Sequence, residues 1–129
     1  MRFSLDSNAY SLLMAPRESL VRCLQGADGL CLSPIVLGEL YAGFELGSRY
    51  EWNVARLTAF LALPPVEVIP VTHSIAERYG VIVRQLKEQG TPIPTNDIWI
   101  AATALETGTR LVSYDAHFNN VPGLIVVSP

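Results

Sequence analysis

Lysine is nearly absent: Lys87 is the only one among nine basic residues, set against twelve acids, for a net charge of −3. Nucleic-acid-binding surfaces usually announce themselves with a basic patch, and none is written here. A polyanionic partner would have to be met where a metal neutralises charge, or by local arginines. Arg17, Arg22, Arg49, Arg56 and Arg84 are available, and each reads first as ordinary solvated surface. Cysteine is equally scarce. Cys23 and Cys31 form neither a CxxC pair nor a disulfide framework, and read as buried thiols in a reducing cytoplasm. No apolar run approaches the roughly 20 residues of a membrane helix. Asp6, Ser7 and Asn8 interrupt the start before the apolar core of a signal peptide could form. Internal repeats, low-complexity segments and linkers are also missing.

What remains is a chain of 129 residues, half of them hydrophobic and only 16% charged. That length fits one domain with its own core, residues 1–129, and the composition excludes disorder. A mean hydropathy of +0.29 is high for so small a domain and is expected to reflect apolar surface reserved for a partner.

Strand and helix signals alternate along the chain. Strands are expected at 2–5, 30–32, 66–69, 110–113 and 124–127. Helices are expected over 8–14, 17–25, 35–46, 50–63, 72–89 and from about 95 to Gly108, with a break at Pro16. Ser33-Pro34 is a helix start, serine as N-cap and proline where its missing N–H costs nothing. The 50–63 helix is apolar on more than one face, through Trp52, Val54, Leu57, Phe60, Leu61 and Leu63. Such a helix is buried in a core or against another chain, and in so small a domain the second is expected. Short connections between alternating elements predict an α/β fold, a parallel sheet of about five strands flanked by helices on both faces. Right-handed crossovers then bring the carboxyl ends of all strands to one edge.

Four acids are expected at that edge. Asp6 and Asp115 directly follow strands, Glu39 lies early in the helix after the second strand, and Asp97 begins the helix feeding the fourth. Three of the chain's four aspartates belong to this set. Crowded carboxylates cannot all stay ionised without compensation, and no lysine or arginine stands at corresponding strand ends. A hard divalent cation supplies the compensation: Mg²⁺ takes oxygen ligands, and its bound water becomes a nucleophile toward a phosphodiester. Ser7, Asn8 and Ser113 are placed to orient carboxylates or metal-bound water. For Asp97 alone, a charge favouring a helix N-terminus explains the residue about as well.

Leu5–Asn8, the Ser33–Leu40 helix start, Asn96–Ala104, and Leu111–Asp115 followed by Phe118 and Val121–Leu124 together resemble the PIN-domain ribonucleases. They are most similar to the VapC-type toxins of bacterial toxin–antitoxin pairs. The resemblance runs from Arg2 to the C-terminus in the right order. It implies a single PIN-like domain with Mg²⁺- (or Mn²⁺-) dependent endoribonuclease activity, whose catalytic and metal-binding acids are Asp6, Glu39, Asp97 and Asp115. It also implies a cytoplasmic toxin that inhibits translation and growth. The expected assembly is a homodimer with a cognate VapB-type antitoxin covering the site, and DNA is contacted only through that antitoxin. Two positions depart from the pattern. Ser113 stands where many members have threonine, and His117 where many have a further acid. An imidazole there could meet RNA phosphate or an antitoxin carboxylate, but reads first as an exposed loop histidine. His73 and Glu77, four apart, read as a solvated first turn rather than a metal pair.

A haloacid-dehalogenase-like phosphatase would need an aspartate at Asn8 and a lysine after a later strand, whereas Lys87 lies within a helix. A receiver-like phosphoacceptor domain would need an acidic pair after the first strand. A PIN-fold scaffold that binds RNA or a partner without cutting is the remaining alternative, and metal-dependent cleavage separates it from the nuclease.

Overall fold

Five short strands pair in parallel in the order β3-β2-β1-β4-β5. They are β1 (Arg2–Leu5), β2 (Gly29–Leu32), β3 (Val66–Val68), β4 (Arg110–Val112) and β5 (Val126–Val127). The computed structural model describes residues 1–15 and 17–129, so the break expected at Pro16 lies outside the described residues. Between the strands run α1 (Ser7–Met14), α2 (Glu18–Leu24), α3 (Pro34–Leu46), α4 (Tyr50–Leu61), α5 (His73–Gln89) and α6 (Thr95–Thr107).

The chain steps outward from β1 to β2 to β3, then returns across the sheet to β4 and β5. With right-handed crossovers, the first two steps lay α1–α4 over one face and the return lays α5 and α6 over the other. The reversal falls between β1 and β4, which pair through Phe3–Arg110, Ser4–Leu111 and Leu5–Val112. Just beyond the carboxyl ends of two such strands, the helices diverge and leave a crevice. Asp6 and Asp115 flank it.

The local signals fold as their chemistry dictates. Ser33 Oγ accepts from the Ile35 N–H at 3.1 Å with Pro34 opening α3, and Thr72 Oγ1 accepts from the Ile75 N–H at 3.3 Å to open α5. Gly90 and Gly108 close α5 and α6 at φ of 71° and 65°, the left-handed conformation that glycine adopts without a Cβ clash. The last strand is shorter than expected. Pro122-Gly123 turns the chain so that Leu124 N–H bonds back to Val121 O, which leaves only Val126 and Val127 in ladder register with β4. A 3₁₀ turn at Ala116–Asn120, which the hydrophobic pattern does not signal, follows β4.

Leu5, Leu32, Leu111 and Val112 of the sheet are buried together with Leu20, Val36, Leu57, Ile75, Ile82, Leu86 and Phe118. Helix α6 buries Ile98, Ile100, Ala101, Ala102, Thr103 and Ala104, residues on every side of the helix. A helix buried all round is one packed between layers, and α6 touches α5, α3 and β4. Tyr79 stacks on Trp99 at 4.1 Å between ring centroids, joining α5 to α6. Cys31 is buried as expected, and burial pushes its thiol pKa up; Cys23 is only half-buried.

Helix α4 divides its apolar residues. Leu57 and Phe60 enter the core, while Trp52 and, just past the helix end, Leu63 stay 45% and 49% exposed. The Arg49 and Arg56 guanidiniums lie 3.9 and 4.4 Å from the Trp52 ring centroid. Arg56 also donates to Met14 O at 2.7 Å, tying α4 to the end of α1. No helix among the described residues is long and apolar enough to cross a membrane.

Candidate active site

The four acids reach the crevice from four different elements, each held by its own local geometry. Asp6 is the N-cap of α1: Oδ1 accepts from the Ala9 N–H at 2.8 Å, and Oδ2 accepts from the Ser113 hydroxyl at 2.5 Å. Asp6 is 4% exposed and Ser113 not at all. Ser113 Oγ accepts in turn from the Asp115 N–H at 3.0 Å, so one buried hydroxyl links the acids that follow β1 and β4. Asp115 caps the 3₁₀ turn, its Oδ1 accepting from the His117 N–H at 2.9 Å. Glu39 projects from the second turn of α3 and accepts from Ser7 Oγ at 3.2 Å. Asp97 lies in the first turn of α6. Ser7 and Ser113 thus each donate a hydrogen bond to one of the candidate acids. Asn8 is exposed, and its side chain makes no hydrogen bond among the described residues.

The charges feel one another across the crevice. Burial raises the Asp6 pKa, the hydrogen bonds from Ser113 and Ala9 oppose it, and the carboxylates of Asp115 and Glu39 push it further up. Asp97 is also raised, first by burial and then by Asp115 and Glu39, against the lowering effect of His117. Both aspartates thus respond to the same two neighbours, which puts all four acids in one electrostatic environment. The arginine ion pairs lie elsewhere, on Glu67, Glu18, Glu106 and Glu88. Among the described residues, no lysine or arginine pairs with any of the four. Repulsion relieved by no lysine or arginine, and only at Asp97 by the His117 imidazole, from donors that are nearly all oxygen, is the donor chemistry of a hard divalent cation.

At position 117 the sequence suggests an exposed loop histidine, and the structure adds two acidic neighbours to it. Its side chain is 49% exposed, as a loop histidine should be, yet Nδ1 stands 3.2 Å from both Asp97 Oδ2 and Asp115 Oδ1. The signal was its position two residues after Asp115, where a capping turn folds the ring back over the acid. His73 and Glu77 behave as expected, an exposed pair at 3.5 Å on the first turn of α5.

The family model for the PIN domain matches residues 5–124, nearly the whole chain, and the chain belongs to that family. Within the family its relatives are VapC ribonucleases. Ribonuclease VapC2 of Haemophilus influenzae is 36% identical over 115 residues, covering 88% of this chain and 86% of the relative. The tRNA(fMet)-specific endonuclease VapC of Salmonella typhimurium is 28% identical over 127 residues, covering 96% of this chain and 95% of its own. A similar solved structure is VapBC2 from Rickettsia felis bound to a DNA fragment of its promoter. There the TM-score is 0.85 at 28% identity, over 98% of each chain.

Proposed function

We propose that the protein is a divalent-metal-dependent endoribonuclease acting as the toxin of a type II toxin–antitoxin pair, with residues 1–129 forming one nuclease domain. The observation that carries this reading is the meeting of Asp6, Glu39, Asp97 and Asp115 at one sheet edge, unpaired by any lysine or arginine, in a chain of the VapC family. A Mg²⁺ or Mn²⁺ ion held by Asp6, Glu39, Asp97 and Asp115 would supply Lewis-acid chemistry, activating water and neutralising phosphodiester charge. The chain's own residues hold and aim the ligands. Ser113 fixes Asp6 and, through the Asp115 N–H, the start of the 3₁₀ turn; Ser7 fixes Glu39. The helix N-termini behind Asp6 and Asp97 contribute partial positive charge to a site that must accept a phosphate.

The Salmonella relative's name supports a transfer RNA as the first substrate to try. The Rickettsia complex supports a VapB-type antitoxin as partner, with DNA contact made through that partner. The exposed Trp52 and Leu63 beside α1 are apolar surface suited to such a partner or to a second copy.

The test is cleavage of total RNA and purified tRNA by antitoxin-free protein with Mg²⁺, with EDTA, and by Asp6→Asn with Mg²⁺. Discrete fragments are expected from the first sample alone. Intact RNA in all three, from folded protein that still binds RNA, would instead identify a non-cleaving scaffold.

A further inference from the structure

A compact group of potential metal donors among the described residues is not drawn from the four acids alone. It consists of Asp97, Asp115 and His117, whose donor atoms all lie within 4.8 Å of one another. Nδ1 of His117 stands 3.2 Å from one oxygen of each aspartate. Neighbouring ligands on an octahedral ion with bonds of about 2.1 Å are roughly 3.0 Å apart. On a tetrahedral ion with similar bonds they are roughly 3.4 Å apart. Both imidazole–carboxylate separations fall between these, and the two aspartate oxygens lie within 4.8 Å of each other, so a carboxylate rotation that draws them together lets one ion take all three atoms. The backbone holds the imidazole in place, because Asp115 Oδ1 accepts from the His117 N–H and closes the turn. Half-exposure leaves the ring free to tilt onto an ion.

We propose that His117 is a direct ligand of the bound ion and sets its identity, favouring Mn²⁺ over Mg²⁺. The inference rests on the metal-dependent reading above and refines it. Mg²⁺ is hard, seeks oxygen and dehydrates reluctantly, so an imidazole in its shell is a poor exchange for water or carboxylate. First-row transition ions accept imidazole nitrogen, and Mn²⁺ also suits a carboxylate-rich octahedral site. A neutral ligand at this position also adds no negative charge to a crevice that already holds four acids. The rival role for the same geometry is an imidazolium acting as internal counter-cation between Asp97 and Asp115, which an incoming ion would have to displace.

The two roles move metal affinity in opposite directions. Metal-stripped wild type, His117→Ala and His117→Asp are titrated with Mn²⁺, followed by its paramagnetic resonance signal, and with Mg²⁺ in competition. Wild type is expected to bind Mn²⁺ at least about tenfold more tightly than Mg²⁺. His117→Ala should lose at least about 10- to 100-fold in Mn²⁺ affinity, the loss that removing a mere outer-shell partner already causes, with Mg²⁺ binding changed less than about threefold. His117→Asp should tighten Mg²⁺ binding above wild type and remove the preference. Bound Mn²⁺ should show histidine nitrogen modulation that responds to ¹⁵N-histidine labelling and vanishes in His117→Ala. Tighter binding of both ions by His117→Ala, or no histidine nitrogen signal in wild type, would overturn the proposal. Wild type that binds Mn²⁺ through histidine but leaves RNA intact would sink the nuclease reading and keep the ligand. Cleavage with no histidine nitrogen on the metal would do the reverse, and no metal binding at all would sink both.

Discussion

Asp6 carries both a helix and a charge, and two substitutions separate the jobs. In Asp6→Ala the α1 N-cap bond from the Ala9 N–H is lost, at about 1 kcal/mol. The Ser113 hydroxyl, fully buried, also loses its acceptor, and an unsatisfied buried donor costs about 1–3 kcal/mol. Together these predict a loss of about 2–4 kcal/mol, or roughly 10 °C in Tm for a domain of this size, before the relief of burial and repulsion that the alanine and asparagine variants share. Asp6→Asn keeps an oxygen for the cap, since asparagine caps as well as aspartate, and replaces only the oxygen that faces Ser113. It also removes a charge that burial, Asp115 and Glu39 all disfavour. The asparagine variant should therefore lie within about 1 kcal/mol of wild type in EDTA, the penalty for the Ser113 mismatch being offset by relief of repulsion. The assay is urea unfolding in EDTA and again with Mn²⁺. Wild type at ten times the dissociation constant should gain about 1.4 kcal/mol, and Asp6→Asn much less. Equal stability of the alanine and asparagine variants in EDTA would refute the capping argument. Equal metal-induced gains in wild type and Asp6→Asn would refute the placement of Asp6 among the ligands.

Two further outcomes follow from the same coordinates. Asp6 and Asp97 are both held above the ordinary aspartate value of 3.8, so near that pH the folded state binds more protons than the unfolded one. Their contribution to metal-free stability is fully present below about 3.8 and is lost as pH rises through the raised values; the Asp6→Asn/Asp97→Asn double variant should show a flatter pH profile in EDTA across that window, and an unchanged profile would contradict the shifts. Asp28 works oppositely, its carboxyl held down by the N-terminal ammonium, and belongs to both profiles alike. Arg56→Ala removes a donor from the last-turn carbonyl of Met14 and a cation from the face of Trp52. Loss of about 1–2 kcal/mol is expected, with faster amide exchange confined to the end of α1; exchange unchanged there would show that the contact does not restrain that helix.

Most of the architecture was legible because it depends on period and punctuation. Ser33-Pro34, Thr72, Gly90 and Gly108 marked helix ends whose caps form through the expected atoms. Alternation of element types fixed a parallel sheet, and right-handed crossovers fixed which edge the acids would share. The sequence could not show which strands neighbour one another, since β1 pairs with both β2 and β4 over very different chain separations. Nor could it divide α4, where Leu57 and Phe60 face inward and Trp52 outward although all are large and apolar. His117 was legible only in part. Its exposure was read correctly, but a surface position says nothing about where a flexible ring points, and only the turn capped by Asp115 brings it over Asp97.

For Asp97 the sequence offered a helix-terminal charge or a ligand as competing explanations, and its position in the first turn of α6 is compatible with both. Asp6 caps α1, Asp115 caps the 3₁₀ turn, and Asp97 lies in the first turn of α6; only Glu39 sits deeper in its helix. Gathering carboxylates without lysine or arginine requires some other source of positive potential, and the unsatisfied N–H groups at helix starts supply a fraction of a charge each. That fraction is not enough: burial and mutual repulsion still leave Asp6 and Asp97 raised. The ion-free crevice can therefore fold while remaining short of positive charge. An acidic chain whose proposed substrate is a polyanion has to draw that charge from an ion, which would explain how nuclease chemistry fits a protein with a single lysine.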